Sequence, residues 1–329
     1  MRAVVFSAVL CATSLQAAGI ALTGATVYRS PEAPAIADAA LVIQDRQIAG
    51  IGPRASVTIP KGTRVLNCSG ESIVAGFWNS HVHILTPGLL HVSGTSAVEL
   101  NGQLDQMLDR WGFTTVFDIA SVLDNTIALR HRIENGEIRG PRILTVGEPL
   151  WTQPPVYILD FLNANRIDMQ VVATPSEAAA RVRALAQGGA DGIKLFTGSM
   201  QGEGKVANMA LEMVSAAVAE AHLRHLPVFA HPQNSSGLEV AIAGGGDILA
   251  HTAPEFALMS RAEMSFPQIL AALTTNPAGR FGYSGRAGRI ATGLDADLTV
   301  LEGDPAKDIT ALSRVRLAIR GGRIIYPAN

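Results

Sequence analysis

Between Ile73 and Ala278 short apolar runs alternate with helix-length amphipathic segments, and no other feature narrows the choice of folds as far. The runs are Ile73-Val74-Ala75-Gly76 leading into Phe77-Trp78-Asn79-Ser80-His81-Val82-His83, then Phe113 to Asp118, Arg142 to Val146, Gly192 to Phe196, Val228 to His231 and Ile248 to His251. Between them, Ala97 to Trp111, Leu123 to Asn135 and the stretch from Thr174-Pro175-Ser176-Glu177 to Gly188-Gly189 read as helices, the last opened by a capping box. Val206, Ala210, Met213, Ala217 and Ala221 mark one face of another. Neighbouring parallel strands need a crossover of about a dozen residues or more, usually a helix, so this alternation predicts βα units around a parallel sheet. With 48% of residues apolar and only 16% charged, the composition suits strands buried on both faces. The connector from Glu148 to Ala173, with Trp151, Tyr157 and Phe161, is long and aromatic. It reads either as a lid or as a packed surface loop.

Several of these runs end in residues that carry chemistry. On a strand the side chains of His81 and His83 project to one face, where two imidazoles can grip one metal ion. His231 and His251 each close a short apolar run, and Lys194 stands inside Gly192-Ile193-Lys194-Leu195-Phe196. Any one of these histidines alone is explained as a satisfied core residue. Lys194 carries more information, because an ammonium between Ile193 and Leu195 is costly to bury without a partner. His91 and His131 lack a strand-end context, and His222 and His225 are explained by the carbonyls and dipole at a helix C-terminus. Gly202-Glu203-Gly204-Lys205-Val206-Ala207 loosely fits a dinucleotide-binding turn, but it falls in the fourth unit with no acidic strand end following. A tight βα turn accounts for its glycines.

On the ordered set His81, His83, Lys194, His231 and His251 the chain resembles the amidohydrolase superfamily, in particular its imidazolonepropionase-like and Xaa-Pro dipeptidase-like branch. The resemblance covers nearly all of the chain beyond its first residues. It implies an α/β fold, a (β/α)8-type TIM barrel with a composite β-sandwich built from both termini. His81 and His83 match the paired histidines after the first barrel strand, and Lys194 the strand-four lysine, carbamylated in many members so that its oxygens bridge two metals. His231 and His251 match the histidines after strands five and six. The implied cofactor is Zn2+ or a similar divalent metal, one or two ions.

Both ends of the chain are strand-rich. Ala21-Leu22-Thr23, Ala25 to Tyr28, Ala40 to Gln44, Gln47 to Ile51 and Arg64 to Leu66 have short β patterns, as do Asp297 to Leu301, Val315 to Ile319 and Gly322 to Tyr326. Neither set stands comfortably alone, so residues 20–70 and 286–329 are expected to pair in the composite sandwich, with 71–285 forming the barrel. Met1-Arg2 and the apolar residues from Ala3 to Ala12 read as an export leader, with cleavage points among Ala17, Ala18 and Gly19. A signal peptide over 1–19 makes the mature protein periplasmic or secreted; the competing reading is a buried N-terminal strand or helix. With the leader removed Cys68 is the sole cysteine, so no intrachain disulfide forms. A formal charge of −2 without a basic run argues against nucleic acid as a partner, and no later stretch is long and apolar enough to span a membrane.

The barrel reads as incomplete. After His251 the chain passes through Pro254-Glu255 into a helix ending near Thr274-Thr275-Asn276-Pro277-Ala278, which resembles the family's segment after strand eight. Roughly 200 residues are available where a whole barrel takes ~250, so the region of strands seven and eight is short. The metal-binding, proton-transferring aspartate of strand eight has no counterpart, and Glu255 reads as an exposed helix-start residue. This is either a divergent, shortened member or a chain with an internal deletion. Missing strands leave unpaired edges that invite association, for instance as a homo-oligomer.

The implied function is metal-dependent hydrolysis of carbon–nitrogen bonds in cyclic or linear amides, Xaa-Pro dipeptides included, on a small-molecule substrate. The alternative is a non-catalytic remnant that keeps the scaffold and still binds metal.

Overall fold

A computed structural model describes residues 19–250 and 264–327. The N-terminal strands are β1 (Ile20–Val27), β2 (Ile36–Gln44), β3 (Gln47–Pro53), β4 (Arg64–Asn67) and β5 (Glu71–Ala75). The alternating region follows as β6 (Phe77–Val82), α1 (Ala97–Met107), β7 (Phe113–Asp118), α2 (Leu123–Glu134), β8 (Arg142–Thr145), α3 (Val156–Ala164), α4 (Pro175–Gln187) and β9 (Ile193–Leu195). It continues through β10 (Gly198–Met200), β11 (Val206–Asn208), α5 (Leu211–His222), β12 (Val228–Ala230), α6 (Ser235–Ala243) and β13 (Ile248–Leu249). After the undescribed stretch come α7 (Phe266–Leu273), α8 (Thr275–Arg280), β14 (Leu298–Glu302), β15 (Val315–Arg320) and β16 (Arg323–Tyr326). The leader expected over 1–19 lies outside the described residues except for Gly19. Among the described residues no helix is long and apolar enough to cross a membrane.

The two ends of the chain share one eight-stranded sheet in the order β16-β15-β14-β5-β1-β2-β3, with β4 beside β1. Its join is the antiparallel ladder of β14 on β5, running from Leu298 opposite Ala75 to Glu302 opposite Glu71. Leu22, Leu41, Ile43, Ile73, Leu298, Val300, Leu317 and Ile319 meet in one core on this sheet. Strands far apart in the order therefore bury their side chains together. Cys68 is buried in the same core, and that burial pushes its thiol up to about 11.

In the alternating region β6, β7 and β8 form one parallel sheet, and β9, β12 and β13 another. Between them the Asp191 N–H donates to the Thr145 carbonyl at the end of β8, and Leu150 beyond β8 makes an isolated parallel bridge to Leu195. Among the described residues α7 and α8 follow β13, with no seventh or eighth parallel strand. Both helices pack against β6. The loop after α8 supplies Phe281, whose ring lies 4.9 Å from that of Phe117, 6.1 Å from Phe229 and 6.1 Å from Trp78. One side chain thus gathers rings from β6, β7 and β12 into a common aromatic core.

Capping side chains open four of the eight described helices. Ser96 and Glu99 form a reciprocal box at the start of α1. At α4 the Thr174 hydroxyl accepts the Glu177 N–H at 3.2 Å, while the Glu177 carboxylate reaches back one residue further, to the Ala173 N–H. Three readings change. The aromatic connector contains α3, which starts without a capping side chain and is apolar around most of its surface, so neither signal marks it. Val206 belongs to β11, and the helix begins only at Leu211. Gly202 to Gly204 make the turn of the β10–β11 hairpin, with φ of 85°, 49° and 74°, so these glycines serve left-handed backbone rather than a helix start.

Candidate metal centre

Of the expected site residues that are described, His81, His83 and His231 lie at the C-terminal ends of parallel strands, where barrel folds carry their chemistry, and Lys194 lies within one. His81 is in the last turn of β6 and His83 just beyond it, with their rings 5.2 Å apart and nearly perpendicular. Alternation on the strand gives this pairing, and the Asn79 side chain adds a hydrogen bond to the His81 N–H at 3.0 Å.

Lys194 occupies the centre of β9 and is only 1% exposed. Its main chain is fixed on the β8 side by the Leu150 N–H, which its carbonyl accepts at 2.8 Å, and its register partner on β12 is Phe229. Phe196, two residues on, projects to the same side. The Lys194 Nζ stands 5.7 Å from the Phe196 ring, and that ring stacks on His231 at 4.3 Å and 18°. His231 directly follows β12, where its N–H donates to the Leu195 carbonyl at 2.8 Å. Its Nε2 lies 3.0 Å from Gln233 Oε1. Lys194, Phe196 and His231 form a second contiguous group. His81, His83 and His231 each make further interactions.

Among the described residues Lys194 forms no ion pair, and burial alone pulls its ammonium down to about 7. Such an amine is more easily held neutral than an exposed lysine. His251 and Glu255 fall outside the described residues. Among the described residues no three of His, Cys, Asp and Glu are grouped as ligands to one ion. The donor set of His81, His83 and His231, three imidazoles, nonetheless suits a divalent metal.

Sequence reasoning passed over Asp118, the last residue of β7, which is fully buried. Its Oδ1 accepts the Ile84 N–H, and its Oδ2 accepts the hydroxyls of Ser121 and, at 2.8 Å, Thr145. Burial pushes this carboxyl up to about 6 against the opposing pull of those hydrogen bonds. The available signal was the one used for Lys194, an ionisable residue in an apolar strand. A cavity of about 740 Å3 lies at the opposite end of the strands, lined in part by Asp191, Pro227, Asp247 and Phe281. There His222 meets Asp247 at 2.9 Å, a specific pairing in place of the helix-end role expected from sequence.

Residues 244–326 match the amidohydrolase family. No curated protein matches the chain by sequence. Among solved structures, a Xaa-Pro dipeptidase with methionine bound in its active site superposes with a TM-score of 0.76 at 18% identity, covering 93% of this chain and 99% of the other. A prolidase complexed with N-methylphosphonate-L-proline gives 0.72 at 21% identity, over 93% and 99% of the two chains. The ochratoxinase of A. niger gives 0.71 at 18% identity, over 94% and 96%. The family match covers the C-terminal quarter of the chain, and the solved structures show that the chain shares their fold.

Proposed function

We propose that this protein is a metal-dependent hydrolase of carbon–nitrogen bonds, acting on small amides or Xaa-Pro-type dipeptides outside the cytoplasm. The observation that carries the reading is Lys194, buried on the parallel strand β9 with no carboxylate paired to it among the described residues and with His231 at the adjoining strand's end. A structural role favours an apolar residue here, whereas a ligand role gives the amine a purpose.

His81 and His83 would hold one ion through their ring nitrogens, and His231 with His251 a second. Lys194 would bridge them as a carbamate, formed when its neutral amine adds to carbon dioxide and releases one proton. That change replaces a cation by an anionic oxygen donor, which makes the buried side chain compatible with dications. A divalent metal held there would bring the pKa of a bound water down to near neutral and would polarise the scissile carbonyl. Phe196, stacked on His231 and in contact with Trp151, walls the Lys194 side from solvent. Asp118 fixes the main chain immediately after His83.

The second reading, a metal-binding scaffold without turnover, draws support from the lack of a seventh or eighth parallel strand among the described residues. Metal analysis of the purified chain, turnover on a panel of N-acyl amides and Xaa-Pro dipeptides, and Lys194→Met separate the readings. The hydrolase binds metal near stoichiometrically, loses turnover on chelation and regains it with zinc. Lys194→Met lowers its metal content about tenfold or more. Full metal loading without turnover on the panel establishes the scaffold instead, and unchanged metal content in Lys194→Met removes the lysine from the centre.

A further inference from the structure

Away from the strand ends, four arginines crowd one small pocket where the alternating region meets the terminal sheet. Arg46 comes from the β2–β3 turn, Arg139 from the connector after α2, Arg320 from the end of β15 and Arg323 from the start of β16. The single carboxylate lining this pocket is Glu134, the last residue of α2, to which Arg320 donates a hydrogen bond. The formal charge of these side chains is strongly positive, and like charges at such separations repel.

Arg46 and Arg323 are exposed, Arg139 is half-buried, and Arg320 is the buried member of the group. Arg320 is 9% exposed, and its Nε, buried, has no hydrogen-bond partner among the described residues. Arg323 reaches the Gly136 carbonyl at 3.4 Å, and a Cβ at Gly136 would collide with its Nη1 at 2.4 Å. A Cβ at Gly321 would press on the Arg46 Nε at 3.3 Å. Gly136 and Gly321 lie at positive φ beside these side chains. The carboxyl of Asp109, close enough to feel both Arg139 and Arg320, is held up to about 8 by its own burial and so supplies little negative charge at neutral pH. The open volume, about 20 Å3, admits one small occupant.

We propose that this pocket is a binding site for a small inorganic anion, which cross-links α2 to the turns of the terminal sheet. The anion accepts charge-assisted hydrogen bonds that Glu134 alone cannot accept from four guanidinium groups. Chloride and one oxygen of a phosphate share this chemistry, and size separates them.

The test is thermal unfolding of the full chain against sodium chloride and sodium phosphate, at ionic strength held constant with a bulky sulfonate salt. A saturable rise in Tm is expected with at least one of the two anions, chloride acting alone if the occupant must be monatomic. The double variant Arg46→Gln/Arg323→Gln, altered at exposed positions, is expected to weaken the apparent affinity about tenfold or more. Glu134→Gln removes the competing carboxylate and is expected to tighten it severalfold, each variant being compared with its own anion-free Tm. Absence of saturable stabilisation in the wild type, equal affinity in the double variant, or weaker or unchanged affinity in Glu134→Gln each overturns the proposal. None of these readings depends on turnover or on Lys194.

Discussion

The Oδ1 atom of Asp118 accepts the main-chain N–H of Ile84 at 3.0 Å, one residue past His83. Just before that point the Ile119 N–H donates to the Val82 carbonyl at 2.9 Å. His83 is thus held by a hydrogen bond on either side, both from the end of β7. Replacing Asp118 by Ala leaves the Ile84 N–H buried and unpaired and frees the Ser121 and Thr145 hydroxyls. The expected loss of stability is ~2–4 kcal/mol by urea unfolding, with zinc affinity falling 10–100-fold. Asp118→Asn retains an acceptor for Ile84 and is expected to lose less than half as much of each. Equal behaviour of the two variants rules out this anchoring role.

Asp109 supplies a pH signature. Burial first, then the nearby Asp105 carboxylate, raises its pKa to about 8 in the folded protein, against the pull of Arg139 and Arg320. The unfolded chain ionises near the ordinary aspartate value of ≈ 3.9. Between those two values the native state binds the proton that the unfolded state has released, so this residue makes stability fall as pH rises from about 4 to about 8. Asp109→Asn is expected to gain on the wild type across that window, by on the order of a few kcal/mol at its upper end, and to match it most closely below pH 4. Parallel stability–pH curves for the two proteins contradict this assignment.

A third test concerns the tie between β8 and the terminal sheet. Arg142 donates to Asp297 at 3.2 Å and to Asp295 at 3.0 Å, while Asp297 also accepts the Gly321 N–H at 2.7 Å. Asp297 is almost fully buried, so Arg142→Met strands its charge and is expected to cost ~3 kcal/mol. Asp297→Asn in that background is expected to recover part of the loss. A double-mutant cycle by urea unfolding gives a coupling of ~1 kcal/mol or more on this account, and strict additivity counts against it.

How much of this was legible beforehand depends on which interactions are local. Strand ends and capped helices announce themselves over a few residues, so β6, β7, β9 and the α4 start at Thr174 could be read directly. The α3 helix could not, because Pro155 offers no capping side chain and Val156 to Leu162 shows no polar face. Val206 fits a helical stripe by spacing, but its pairing with Met200 across the β10–β11 turn decides the matter. At the candidate centre, Lys194 and the histidine pair were legible as residue types in unusual places. The stacking of Phe196 between Lys194 and His231, and the reach of Asp118 to Ile84, depend on register between separate strands. Spacing along the chain holds no record of that register.

The β5–β14 ladder has a consequence for how the polypeptide is made. Ile73 and Val74 leave the ribosome well before Val300 and Thr299, the residues that will sit opposite them. At 5–20 residues per second, roughly 220 intervening residues mean a wait of ~10–45 s with an apolar strand edge uncovered. During that interval the nascent chain is a client for whatever holds unfinished proteins apart, and its final strands are what release it.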